Sequence, residues 1–330
     1  MDKKLHPFHK TLSFGVPYNI SPFDMSKIVY TYHDLIHDLY TSPFVITKTK
    51  GLSYTNKDFI TDAMENNPRY LDTFKQALIL RRKYNLNLDV AINGKGLQFD
   101  HLEVLKNYLL EYNPSEMTVL EDNVDDWRNL YPDMTFYRSH NNPALRVKHF
   151  EDTRFNCYIG AKQFLWHPKL WPDDPYKLRL LVNNACLYTC PGCFEGKDLN
   201  ELADKEVMHS SIEAVSARTS LYPEDMKLVV DYYPHMTFKL NTRNLGGACF
   251  KLLKDIKDIT PTRELFSGDG ALERHDNYNA WHKHGSLQAI RSEMGFDLDR
   301  LMEEKYKLQE NFKKEAEEML NTRHAHILDK

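Results

Sequence analysis

Absences bound this chain before any motif is weighed. Cysteine is scarce, with five residues in 330, so a disulfide-stapled secreted scaffold is excluded, and an odd count could not pair completely within one chain. No sign of charge dominates: 43 basic against 47 acidic residues leave a formal net charge of −4, which is no global field for a nucleic-acid partner. No apolar run approaches the length of a membrane span, and the opening MDKKLHPFHKTLSF has neither the apolar centre nor the small-residue cleavage site of a secretory signal. A cytoplasmic protein with no membrane attachment is the expectation. Solenoid repeats and low-complexity tracts are missing as well. What is present, 42% hydrophobic and 27% charged residues, suffices for one large α/β domain or two smaller ones and excludes a disordered or fibrous chain.

The scarce cysteines are not scattered. Cys186, Cys190 and Cys193 sit in NNACLYTCPGCFEG (183–196), spaced C-x3-C-x2-C and placed directly after the apolar run 178–182. A reducing compartment disfavours structural disulfides, so ligation becomes the leading use. Thiolates are soft ligands that select zinc, copper(I) or iron–sulfur clusters. Structural zinc wants four ligands, commonly two C-x2-C pairs, and only Cys190 and Cys193 form such a pair. Zinc would therefore need Cys186 together with Cys157, Cys249 or a histidine. A [4Fe–4S] cube fits the trio more directly, because three close thiolates can hold three of its corners from one loop.

Short apolar or β-branched runs alternate with helical stretches along most of the chain. Strands are predicted over 11–18, 42–48, 86–92, 116–121, 133–139, 155–161, 176–182 and 235–241. Helical spacing joins Met25, Ile28, Val29, Tyr32 and Leu35, then Leu71, Phe74, Ala77 and Leu78, then Leu102, Leu105, Tyr108 and Leu109. Eight strands alternating with helices argue for a parallel sheet covered by helices, and the count and length fit a (β/α)8 TIM-barrel-like single domain over 8–260. Residues 261–330 change character: a histidine- and charge-rich loop leads into an amphipathic helix with Leu301, Leu308, Phe312 and Met319 on one face. This C-terminal helical extension would pack on the barrel or dock a partner. His275, His282 and His284 read as scattered surface histidines rather than as a metal site.

Asparagines stand where the predicted strands stop: Asn19, Asn93, Asn183 and Asn241. Asparagine tolerates turn conformations, which explains any one of them. Four at the ends that converge on the active-site face of a barrel point to a substrate-binding rim. Lys239 and Arg243 flank the same region and could hold an anionic carboxylate or phosphate, or simply close a salt bridge. Glu195 and Asp225 could act as general acids, with Asp225 reading more naturally as the start of a helix in the sequence PED.

Two resemblances bear on these residues. KLRLLVNNACLYTCP, followed by SLYPEDMKLVVDYYPHMTFKLNTRN, resembles the U32 peptidase-like family, in which an LVN…C…CP element precedes a PED turn, a helix and a strand reading roughly FKI.GR. Pro223, Glu224 and Asp225 match the turn, and Phe238, Lys239, Leu240 and Arg243 match the strand; SFGVPYN and LNLDVAINGKGL are similar at the level of pattern. The resemblance implies a barrel that binds [4Fe–4S] through four cysteines and serves oxygen-independent hydroxylation or another modification of RNA or a small metabolite, fed by an electron donor protein. On that reading Cys249, in NLGGACF, is the fourth ligand. The C-x3-C-x2-C spacing itself is similar to the motif of radical S-adenosylmethionine (SAM) enzymes, where a small molecule completes the cluster. Here it follows some six predicted strands rather than the first, and Gly192 stands where an aromatic residue is usual. A proteolytic activity is disfavoured, since neither a G-x-S-x-G elbow nor an H-E-x-x-H helix is present. A zinc-stapled barrel acting as a binding module, not an enzyme, is the third reading.

Overall fold

The computed structural model describes residues 5–17, 20–41, 68–92, 112–139, 150–160, 168, 171–183, 221–242, 245–260, 299–300, 302–307, 310–311 and 314. Its elements run β1 (Leu12–Gly15), α1 (Pro22–Tyr32), β2 (Ile36–Thr41), α2 (Pro68–Tyr84), β3 (Asn87–Ile92), β4 (Glu116–Val119), α3 (Val124–Leu130), β5 (Thr135–Arg138), β6 (Cys157–Gly160), β7 (Leu178–Leu181), α4 (Pro223–Tyr232), β8 (Thr237–Leu240) and α5 (Ala248–Asp258). Each strand pairs in parallel with the next, and β8 pairs in parallel with β1, so the sheet closes into an eight-stranded α/β barrel. That is the architecture the alternation predicts.

Seven of the eight predicted strands fall on observed ones. The second does not: the strand is Ile36–Thr41, whereas the predicted range 42–48 lies outside the described residues. Helix α1 stops at Tyr32, so Leu35 belongs to the approach to β2 and not to the helix. The strand IHDLYT escapes a hydrophobicity search because His37 and Asp38 interrupt its apolar run.

Local chemistry sets the helix boundaries. Ser21 caps α1 by accepting a hydrogen bond from the Asp24 amide at 3.1 Å, and Pro22 occupies the first turn, where its missing N–H costs nothing. Asp225 serves α4 in the way the PED reading anticipates, its carboxylate accepting from the Tyr222 amide at 2.8 Å. Met25, Ile28, Val29 and Tyr32 form the buried face of α1.

The sheet separates two environments. On its outer face Leu12, Phe14, Leu88, Val90, Phe238 and Leu240 join helix residues such as Trp127, Met226 and Ile256 in one hydrophobic cluster. The alternate positions of the same strands carry Ser13, Asp38, Asp89, Glu116, Arg179 and Lys239, all buried. These inner residues contact one another across strands that are not neighbours, which only the barrel lumen permits. Among the C-terminal residues, Met302 joins the outer cluster and Lys305 donates to the Trp171 carbonyl at 2.8 Å. The residues predicted to make the apolar face of the C-terminal helix, Leu301, Leu308, Phe312 and Met319, lie outside the described set, as does the proposed domain junction at 261.

One glycine is required by space. A Cβ on Gly15 would stand 2.7 Å from both Cζ and the hydroxyl of Tyr40, whose ring passes over β1 so that its hydroxyl donates to the Leu240 carbonyl on β8 at 2.7 Å. Gly15→Ala should therefore cost about 1–3 kcal/mol in urea unfolding, the usual range for overpacking. In a Tyr40→Ala background the same substitution should cost less, with the contact at 3.0 Å to Thr242 Oγ1 remaining, and a double-mutant cycle would read the coupling.

Candidate functional site

Barrel interiors are ordinarily filled by branched apolar side chains. This one is not. Arg179, from β7 and 1% exposed, lies in the lumen with Nη1 at 3.0 Å from Asp38 Oδ2 and 4.0 Å from Asp89 Oδ2, and Nη2 at 3.9 Å from Glu116 Oε2. Its remaining donors reach Tyr137 Oη at 3.0 Å, Ser13 Oγ at 3.3 Å and Thr237 Oγ1 at 3.3 Å. The guanidinium also lies over the Tyr137 ring, 4.1 Å from its centroid. Ser13 connects the two charges, accepting from Arg179 and donating to Asp38 Oδ1.

A second pair sits beside the first. Lys239 Nζ donates to Asp89 Oδ2 at 2.8 Å and lies 3.9 Å from the centre of the Tyr40 ring, while Thr118 Oγ1 donates to the same carboxylate. Opposite this polar side Tyr137, Cys157, Ile159 and Leu181 make a small apolar cluster.

At the amino-terminal rim a third group forms. The register between β1 and β2 jumps from Leu12↔Ile36 to Ser13↔Asp38, so His37 is the extra residue of a bulge. Bulges re-aim side chains, and here consecutive residues reach one cluster. His37 Nε2 comes within 3.2 Å of Glu116 Oε1, and Asn87 Nδ2 donates to that oxygen at 2.9 Å.

Burial and partners set the protonation of these groups. Asp38 is pushed up to about 6, mainly by burial, with Arg179 opposing and the neighbouring carboxylates Glu116 and Asp89 adding to the rise. Burial would raise Glu116 too, but the hydrogen bond from His37 and the charge of Arg179 win, and it stays below the usual carboxylate range. Arg179 loses to burial and gains more from Asp38, Tyr137 and Glu116, so it is held firmly charged. Lys239 is lowered by burial against the pull of Asp89.

The sequence-derived site residues divide sharply. Lys239 is in the lumen, committed to Asp89, which is the salt-bridge reading of this residue. Asn183 is buried and ties the carboxyl end of β7 to that of β8: its Nδ2 donates to the Asn241 carbonyl at 2.9 Å and its Oδ1 accepts from the Asn241 amide at 2.6 Å. Cys249 is buried at the first turn of α5, in the outer core, with its thiol donating to the Thr242 carbonyl at 3.6 Å. Burial pushes the Cys249 thiol up to about 12, and the same holds for Cys157 in the lumen. Cys186, Cys190, Cys193, Asn19, Asn93, Arg243, Glu195, His275, His282 and His284 lie outside the described residues. The sequence reading did not find Asp38, Asp89, Glu116, Arg179 or His37. The available signal was a single charge in the middle of each apolar run, as in LRLL and LDVAI.

No protein-family model matches this chain, and neither a curated protein nor a solved structure is significantly similar to it. No helix among the described residues is long and apolar enough to cross a membrane.

Two measurements test the network. Arg179→Met leaves buried carboxylates without their shared cation and should cost about 3–5 kcal/mol at neutral pH, with part of the loss recovered on acidification as those carboxylates take up protons. For Asp38 the folded pKa lies above the ordinary 3.8, so its stabilising contribution is complete below that value and disappears as pH rises through about 6. Asp38→Asn removes that dependence, and the stability of the variant relative to wild type should climb between pH 4 and pH 7 in chemical denaturation, on the order of 1 kcal/mol per unit.

Proposed function

We propose that this protein is an iron–sulfur enzyme built on a (β/α)8 barrel, with Cys186, Cys190 and Cys193 holding a [4Fe–4S] cluster at the carboxyl mouth, and that it carries out a redox modification of RNA or a small metabolite. The observation that carries this reading is where the cysteine segment starts. Asn183 is pinned to Asn241 by two hydrogen bonds at the end of β7, and Cys186 follows three residues later. Three residues span at most about 10 Å, so the first thiol is tethered to the rim on which barrel enzymes assemble their active sites.

The donor set supports three thiolates more readily than four. Cys249 would have to leave the hydrophobic cluster and give up its proton against burial. Its surroundings thus favour a cluster with one iron open to a small molecule, and the radical-SAM reading remains the second proposal on that ground. When bound, such a cluster supplies one-electron transfer beside whatever substrate the rim holds. The chain's own contribution beneath it is a floor of paired charges. With Lys239 held by Asp89 and Arg179 shared among carboxylates, neither of these two buried cations is free for a substrate anion, and its recognition falls to rim residues. An electron donor protein completes the proposal.

Anaerobically purified protein should be brown, with broad visible absorption and about four irons per chain. Replacing Cys186, Cys190 or Cys193 by alanine should each abolish the colour, while Cys249→Ala should leave it. Stoichiometric zinc without colour would overturn the iron proposal in favour of the binding module. Production of 5′-deoxyadenosine from SAM and a reductant would move the assignment to the radical-SAM class.

A further inference from the structure

Beyond the cysteine segment, we propose that His37, Asp38 and Glu116 form a site for one divalent first-row metal ion, such as Mn2+ or Zn2+, at the amino-terminal base of the barrel. One imidazole nitrogen and two carboxylate oxygens from these residues all lie within 4.8 Å of one another. The bulge at His37 is what makes this possible, since in a regular strand His37 and Asp38 would face opposite sides of the sheet.

Two further observations point to a ligand. Asp38 Oδ2 and Glu116 Oε2 are both buried and lack a well-aligned hydrogen-bond donor, although Arg179 stands 3.0 Å and 3.9 Å away and Tyr137 adjoins the Glu116 carboxylate. Buried carboxylate oxygens rarely go without a donor. The charge inventory is also short. Asp89 has Lys239 to itself, whereas Asp38 and Glu116 share one guanidinium, at 3.0 Å and 3.9 Å. A metal ion beside those two oxygens would join His37, which already meets Glu116 Oε1 at 3.2 Å.

A mixed imidazole and carboxylate set suits zinc and manganese, and the half-exposed His37 gives a route in from solvent. Arg179, Ser13 and Asn87 already orient the two carboxylates, as the outer partners of metal ligands do. Metal bonds of about 2.0–2.2 Å put neighbouring donors about 3–3.5 Å apart, so donors as much as 4.8 Å apart must close by more than an ångström on binding. Since the site lies at the amino-terminal ends of β2, β3 and β4, its role is to fasten the barrel base and not to react with substrate.

Mn2+ is the discriminating probe, because thiolates do not select it. Titration of the full-length chain with MnCl2, followed by the electron paramagnetic resonance of the free ion, should show one bound ion per chain and a melting temperature that rises with metal. His37→Ala and Glu116→Gln should each weaken binding at least tenfold, with far-ultraviolet circular dichroism reporting that the variants fold. The Cys186→Ala/Cys190→Ala/Cys193→Ala variant should bind as wild type does. Wild-type binding no tighter than that of the half-exposed His37→Ala variant overturns the site, as does binding that disappears with the cysteines. A cluster that takes up a proton and no metal, seen as a pH-dependent melting point indifferent to MnCl2 and ZnCl2, overturns it too.

Discussion

Everything in this barrel is arranged around one guanidinium that cannot reach water. Arg179 is 1% exposed, and its charge is balanced by carboxylates from β2, β3 and β4 on the far side of the lumen. Taking such ions out of water costs several kcal/mol each, and mutual attraction compensates only where geometry and hydrogen bonding are good. The lumen supplies both. Ser13, Thr237 and Tyr137 occupy the remaining guanidinium donors, and Thr118 and Asn87 serve the carboxylates. The network joins residues of seven of the eight strands, all but β6, so it fixes the shape of the barrel's cross-section as well as its charge.

That choice divides the work of folding between two layers. Stabilisation comes from the outer cluster, where the outward residues of every strand meet the helices in mainly apolar contacts. The inner layer contributes selectivity: a register slip of one residue would turn Asp38, Asp89 or Arg179 into that outer cluster and an apolar residue into the lumen. The period of two along each strand is therefore enforced from both sides. Tight fitting accompanies it, as at Gly15, where a side chain would collide with the Tyr40 ring.

The barrel was legible in the sequence to the extent that its outward faces are apolar. Runs such as LNLDVAI and KLRLLV announce strands because two or three outer residues dominate the window. The strand at Ile36–Thr41 hid because its inner residue Asp38 is preceded by the bulged His37, giving two polar residues in succession and no alternation. The same rule concealed the lumen: each charged residue looks like an interruption of its strand until closure brings the interruptions together. Asn183 and Asn241 are a different case. They were legible as rim residues, and the structure commits the Asn183 side chain to the Asn241 backbone, so position was readable and this partner was not. Cys249 was singled out for its sulfur, whereas its surroundings are those of a packed thiol.

The lumen and the cysteine segment are connected through β7, which carries Arg179 in its body and leads into the three closely spaced thiols beyond Asn183. An arginine locked by several partners makes that strand a rigid post for whatever the following residues hold. The most direct test of this central claim is hydrogen exchange of the Arg179 side chain, followed by nitrogen-15 nuclear magnetic resonance in the native state. The account predicts that its Nε–H exchanges only through global unfolding, with protection falling in step with stability as denaturant is added. Exchange at the rate of an exposed guanidinium under native conditions would contradict it.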